Sequence, residues 1–224
     1  RLSERAYWDR NINMDLSRFD RIAFWIKVIG AQQAVRQCSL HFRSGSGWYT
    51  ANQNIGFGLP MQGWQHVILN RADFVAEGTP TSWSSIDCIR FSSWKGADIQ
   101  ATILLGAVEG ISDDVIVVRN TRAGTEAASA KVYAGKMTGA LSRAGIGAGM
   151  VDEASIETGM LAGKSIVIYP YNPVVSSTEI TNLNAFVDNG GKIIACYKLV
   201  PDLASILGVQ SQGYKTANYK GHFS

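Results

Sequence analysis

A chain of 224 residues is long enough for one large domain or two small ones. Its 46% hydrophobic and 17% charged residues describe an ordinary globular polypeptide, and a net charge of +3 with scattered Lys and Arg gives no electrostatic footprint for nucleic acid. No apolar run approaches the ~20 residues that span a bilayer, so no membrane partner is expected. The chain opens at Arg1 without a signal-like segment and closes at Gly221-His222-Phe223-Ser224 without a stop signal, so both ends are read as cut or trimmed.

From Arg21 the pattern has period two. Ile22, Phe24, Ile26 and Val28 are apolar, with Ala23, Trp25 and Lys27 between them, and Cys38, Leu40 and Phe42 alternate with Ser39, His41 and Arg43. Further strand-like runs cover 64–69, 86–91 and 99–108, separated by Ser44-Gly45-Ser46-Gly47, Gly56-Phe57-Gly58-Leu59-Pro60 and Gly78-Thr79-Pro80. Short strands spaced by such turns predict an antiparallel sandwich. All six tryptophans, Trp8, Trp25, Trp48, Trp64, Trp83 and Trp94, lie in this half. That shift in composition divides the chain into an all-β unit at 1–110 and a second unit at 111–224. Three widely spaced cysteines form neither a disulfide framework nor a zinc pattern. Cys38 and Cys88 are expected as buried free thiols or as a disulfide.

The second half changes character. Val115-Ile116-Val117-Val118 is a continuous apolar run, as for a strand covered on both faces. Residues 125–144 read as an Ala- and Lys-rich helix, and 145–151 as a glycine-rich strand. Another strand at 165–169 is broken by Pro170-Tyr171-Asn172-Pro173. Ser176-x-x-Glu179 is a capping box opening a helix that stops at Asn189-Gly190-Gly191. Lys192 to Cys196 is a strand, and Pro201 to Leu207 looks helical. This alternation predicts a parallel α/β sheet with right-handed crossovers. Gly163-Lys164-Ser165 has the residues of a phosphate loop but precedes a strand instead of opening a helix, the wrong order for one.

The run Leu40-His41-Phe42-Arg43-Ser44-Gly45-Ser46-Gly47-Trp48-Tyr49, followed by Gly63-Trp64-Gln65-His66-Val67 and by Trp83-x-x-Ile86-Asp87-x-Ile89-Arg90-Phe91, resembles the jelly-roll, galactose-binding-like modules attached to glycoside hydrolases. Ile166-Val167-Ile168-Tyr169-Pro170 and Gly190-Gly191-Lys192-Ile193-Ile194-Ala195-Cys196 resemble the class I glutamine-amidotransferase-like fold, a flavodoxin-like parallel sheet. Together these resemblances imply a multidomain chain: an all-β jelly-roll sandwich, then an incomplete amidotransferase-like α/β domain. They imply a non-catalytic carbohydrate-binding or structural portion of a larger glycoside-hydrolase-like protein, secreted or periplasmic. Oligomerisation through the α/β domain has precedent among trimerisation domains similar to it.

The resemblance also puts Cys196 where an amidotransferase holds its nucleophile. That chemistry needs a sharp strand-to-helix turn, which the family builds with glycines two residues before and after the cysteine. Here those positions are Ile194 and Lys198. The family's later His-x-Glu is matched only by His222 with no Glu after it. A Cys-dependent amidotransferase-like hydrolase using Cys196 is therefore the alternative reading, not the leading one.

Sugars stack on aromatic rings while polar side chains fix their hydroxyls. If the strands at 21–28, 38–43 and 86–91 share one sheet, Trp25, Lys27, His41, Arg43 and Arg90 line one face, with Trp48 and Tyr49 at its rim. Trp64, Trp83 and Trp94 are read as core or loop anchors. No cofactor is expected beyond the structural calcium common in similar modules, with loop oxygens of Asp9, Asn11, Asp73 and Asp87 as its candidate ligands. Asp152, Glu153 and Glu157 cluster in sequence and are read as solvated surface, not as a carboxylate pair for glycoside hydrolysis.

Overall fold

The computed structural model describes residues 5–30, 34–51 and 63–210. Its first part holds eight strands: β1 (Arg5–Met14), β2 (Arg21–Gly30), β3 (Val35–Ser44), β4 (Gly47–Ala51), β5 (Gln65–Asn70), β6 (Val75–Glu77), β7 (Ile86–Lys95) and β8 (Ala101–Ile111). They form a five-stranded sheet, β1-β7-β3-β4-β6, and a three-stranded sheet, β5-β2-β8. Every pairing is antiparallel. The period-two residues of β2 and β3 do what alternation requires. Ile22, Phe24 and Ile26 point into the core, where they meet Cys38, Leu40 and Phe42 from the opposite sheet. Aromatic rings close one side of this core: Trp83 stacks on Tyr49 at 4.3 Å and meets Phe42 and Phe74 at 5.7 and 5.4 Å. Cys38 and Cys88 are both buried free thiols.

β1, β4 and β6 are strands that the sequence pattern does not announce. β1 interrupts its apolar residues with Arg5 and the consecutive run Asp9-Arg10-Asn11, so it reads as polar loop. It has a partner in β7, in register from Arg5↔Trp94 to Asn11↔Cys88.

The second part holds four parallel strands, β9 (Val115–Arg119), β10 (Ala148–Asp152), β11 (Ile166–Tyr169) and β12 (Lys192–Ala195), in the order β10-β9-β11-β12. Helix α1 (Ala127–Arg143) packs against β9 and β10 through Ala130 and Ala134, whose small side chains allow close approach. Helices α2 (Glu153–Glu157), α3 (Ser177–Asp188) and α4 (Pro201–Ile206) bury Ile156, Leu183 and Leu203 in the cluster that contains Val118, Val167 and Tyr169. The capping box opens α3: Ser176 Oγ accepts from the Glu179 N–H at 3.1 Å, and Glu179 accepts from the Ser176 N–H at 2.9 Å. Its end is a Schellman turn, with Gly190 at φ +89° and the Gly191 N–H donating to the Phe186 carbonyl at 2.9 Å.

The two parts meet at a buried ion pair. Asp20, in the turn before β2, and Lys164, in the turn before β11, have fully buried side chains. Lys164 Nζ donates to Asp20 Oδ2 at 2.5 Å, to Ser112 Oγ at 2.8 Å and to the Asp113 carbonyl at 2.8 Å, which satisfies all its N–H groups. Asp20 Oδ2 also accepts from the Asp113 N–H at 2.8 Å. Burial drives the Asp20 carboxyl up from its ordinary value against the pull of Lys164. A side chain at Gly149 would collide with the Asp20 carboxylate, so β10 passes here only as glycine. Beside the pair, the Asn70 side chain accepts from the Met150 N–H at 3.0 Å, and Arg119 donates to the Ala72 carbonyl.

Breaking one half of such a pair strands the other charge in the interior. Lys164→Met is expected to cost about 3–5 kcal/mol in urea unfolding at neutral pH. Adding Asp20→Asn to it should recover much of that loss, so the two substitutions are strongly non-additive.

Candidate functional site

The outer face of the five-stranded sheet gathers aromatic and charged side chains from five strands. From β1 come Arg5, Tyr7 and Asp9, from β7 Arg90, Ser92 and Trp94, from β3 His41 and Arg43, from β4 Trp48 and Thr50, and from β6 Glu77. These residues alternate with the core-facing positions of the same strands. A pit of about 220 Å³ opens among Arg5, His41, Trp48, Glu77, Arg90 and Trp94.

Each arginine on this face is held in place. Arg90 binds Asp9 in bidentate fashion, Nε to Oδ1 and Nη2 to Oδ2, both at 2.7 Å. Its guanidinium carbon lies 4.5 Å from the ring centroids of both Tyr7 and Trp48. The hydrogen bond from Arg90 holds the Asp9 carboxyl below its ordinary range. Arg43 donates to Asp87 at 2.5 Å and sits 5.7 Å from the Trp48 ring. Arg5 lies 4.8 Å from the Trp94 ring and donates to Ser92 Oγ at 2.8 Å.

His41 is the buried polar group of the pit. It is 5% exposed, its Nδ1 lies 3.0 Å from Thr50 Oγ1, and its ring meets Trp48 edge-on at 6.2 Å. Its Nε2 has no hydrogen-bond partner among the described residues. Burial, then the positive charge of Arg5, pushes its pKa down to about 4, so the imidazole is neutral at pH 7 and can accept or donate once at Nε2. The arrangement offers two indole rings, a neutral ring nitrogen and fixed guanidinium donors to one ligand.

Four residues of the expected platform, His41, Arg43, Trp48 and Arg90, share this face. Two do not. Trp25 lies on β2, in the other sheet, where it stacks on His66 at 4.5 Å beside Trp64, and Lys27 lies on that strand too. Tyr49 faces inward and stacks on Trp83. The alternation of each strand was legible, but the sheet to which each belongs was not, because pairing is a long-range property. Trp94, expected as an anchor, lines the pit, whereas Trp83 is core. Arg5 and Tyr7 lie outside the expected platform, and Asp9, expected as a calcium ligand, joins this face instead. Their signal was the spacing of two between Arg5, Tyr7, Asp9 and Asn11.

The candidate calcium ligands are spread over β1, β7 and the turn after β5. Asp9 and Asn11 are on a strand, Asp9 is taken by Arg90 and Asp87 by Arg43, and Asp73 accepts from the Asn70 N–H at 2.9 Å. Among the described residues no group of three or more His, Cys, Asp or Glu gathers to hold a metal.

Cys196 follows β12. The Lys198 N–H donates to the Cys196 carbonyl at 2.7 Å, closing a γ-turn centred on Tyr197 at φ +60°. The strained residue is thus the tyrosine, and the next helix begins only at Pro201. His222 lies outside the described residues. The acidic cluster is not solvated surface. Glu153 is fully buried and accepts from the Thr121 N–H at 2.9 Å, Thr121 Oγ1 at 2.6 Å and the Arg122 N–H at 3.0 Å. Glu157 pairs with Arg122 and accepts from Ser176 Oγ at 2.6 Å, which pulls its pKa to about 2. These carboxylates tie loops together, because the turn after β9 has backbone donors to satisfy.

No protein-family model and no curated protein matches this chain.

His41 gives the site a pH signature. Its folded pKa lies near 4, below the ordinary value of 6.5, so the unfolded chain binds the extra proton between these values. Its contribution to stability is therefore complete above pH 6.5 and is lost as pH falls towards 4. Urea unfolding of wild type and His41→Asn across this window should show the wild type losing more stability on acidification.

Proposed function

We propose that this chain is a non-catalytic carbohydrate-binding unit whose ligand site is the outer face of the five-stranded sheet. The observation that carries the reading is His41 Nε2, buried and without a partner among the described residues, in a pit flanked by Trp48 and Trp94. A sugar ring offers an apolar face to an indole and hydroxyls that both donate and accept. A neutral imidazole nitrogen and guanidinium donors suit those hydroxyls. Carboxylates already balance the arginines, which favours a neutral ligand over an anion.

The architecture supports the same reading at the level of fold. Eight antiparallel strands in two facing sheets are what a jelly-roll module would supply. In the α/β part, the strand order second-first-third-fourth is that of the flavodoxin-like arrangement. The turn geometry at Cys196 and the loop-tying roles of Glu153 and Glu157 favour a scaffolding role for this part over catalysis.

A polysaccharide array followed by calorimetry on the best ligand tests the proposal. Trp48→Ala is expected to weaken binding tenfold or more, about 1.4 kcal/mol, and His41→Ala to weaken it as well. Trp25→Ala, on the opposite sheet, should leave affinity unchanged. Binding that depends on Trp25 and not on Trp48, or no binding to any glycan, would overturn it.

A further inference from the structure

The sandwich has an open side. Between β1 and β8 lies a cleft of about 770 Å³, within the range of built ligand sites. Its walls are the inner faces of both sheets. β1 lines it with alternate residues, Ala6, Trp8, Arg10, Ile12 and Met14, and with Tyr7 at its rim, and β8 lines it with Ile103, Leu105 and Val108. These positions face inward, yet Trp8 is 52% exposed and Met14 42%. The corresponding residues of β2, Ile22, Phe24 and Ile26, are at most 2% exposed.

Among the described residues, both walls end in strands paired on one side only. β1 is the edge of its sheet and β8 the edge of the other, and these strands are ten and eleven residues long. Long edges with free N–H and C=O groups are templates for another strand. Among the described residues, Arg10 is the one charge lining the cleft, and it makes no ion pair there.

We infer that this cleft takes a strand of polypeptide. The occupant is an extended segment that pairs with the free edge of β8 beneath β1, places apolar side chains inward at alternate positions, and sets a carboxylate against Arg10. Three features select a strand over other apolar ligands: the free backbone edge, the period-two lining along the whole of β1, and the lone cation. This is strand addition, in which backbone bonds give affinity and pockets for alternate side chains give specificity.

The test uses a synthetic peptide of about ten residues, the length of β1, that alternates valine with threonine and carries one glutamate among the inward positions. Trp8 lines the cleft, so insertion should shift tryptophan emission to the blue, and hydrogen exchange should slow at β8 amides. A peptide of the same composition without alternation should do neither. Arg10→Glu, whose site is exposed and whose folding is checked by its unfolding curve, should weaken the glutamate peptide about tenfold and strengthen a lysine counterpart. Three results would overturn the inference: no protection of β8 by any alternating peptide, binding of dodecanoate with none of the peptide, or protection that arises from self-association seen by light scattering. The first would leave Arg10 as a charge that keeps the edge from pairing.

Discussion

The contact between Asp20 and Lys164 fixes how the rest of the molecule is arranged. Two charges removed from water cost several kcal/mol each unless they meet with good geometry and satisfied hydrogen bonds. Lys164 meets that condition at a single position, where it reaches Asp20, Ser112 and the Asp113 carbonyl together. The link between β8 and β9 is held at that point, and β10 must pass it as Gly149. The pair reaches further through the backbone of Asp20, which accepts from the Arg71 N–H at 2.8 Å. Arg71, buried, lies 5.0 Å from the Trp83 ring, and Trp83 fills the core beside Tyr49 and Phe42. A pair of this kind contributes more to choosing one arrangement than to net stability, since an apolar pair of the same volume could replace it at little cost.

What could be read in the sequence was local. The period-two runs of β2 and β3 gave their inward faces, and the capping box with Asn189-Gly190-Gly191 gave both ends of α3. The unread features depend on partners far along the chain. Lys164 looked like part of a failed phosphate loop because its carboxylate lies 144 residues away. Trp25 and His41 both face away from the core and share one sequence signature, although one belongs to each sheet. Glu153 looked solvated because its acceptor role is set by the turn after β9. β1 hid for another reason: its apolar residues are diluted by charges, most of which belong to the outer face.

Those charges explain the character of the candidate face. Arg5, Arg43 and Arg90 are matched there by Asp9, Asp87 and Glu77, so the face is patterned without being strongly charged. The rings share in the same work: Trp48 meets two guanidiniums and the His41 edge, which leaves it little rotamer freedom to lose. A side chain ordered before binding costs less entropy when the ligand arrives. Among the described residues His41 Nε2 is a buried polar atom of this network without a partner, and burial keeps the imidazole neutral.

The open cleft follows from a mismatch of widths. Strands sit ~4.8 Å apart, so a five-stranded sheet overhangs a three-stranded one by two strands. On the side of β4 and β6 the overhang is filled from above the turn after β5, by Phe74 and Trp83 against Tyr49 and Phe42. On the side of β1 nothing among the described residues fills it, and Trp8 and Met14 stay exposed on an inward face. A strand added beside β8 would lie under β1 and bring the smaller sheet to four. Apolar surface buried there would stabilise by roughly 25 cal/mol per Å², but only for an occupant that also satisfies the β8 backbone. An acyl chain fails that second condition and a peptide strand meets it, which is why the width of the sheets, and not the volume of the cleft, decides what fits.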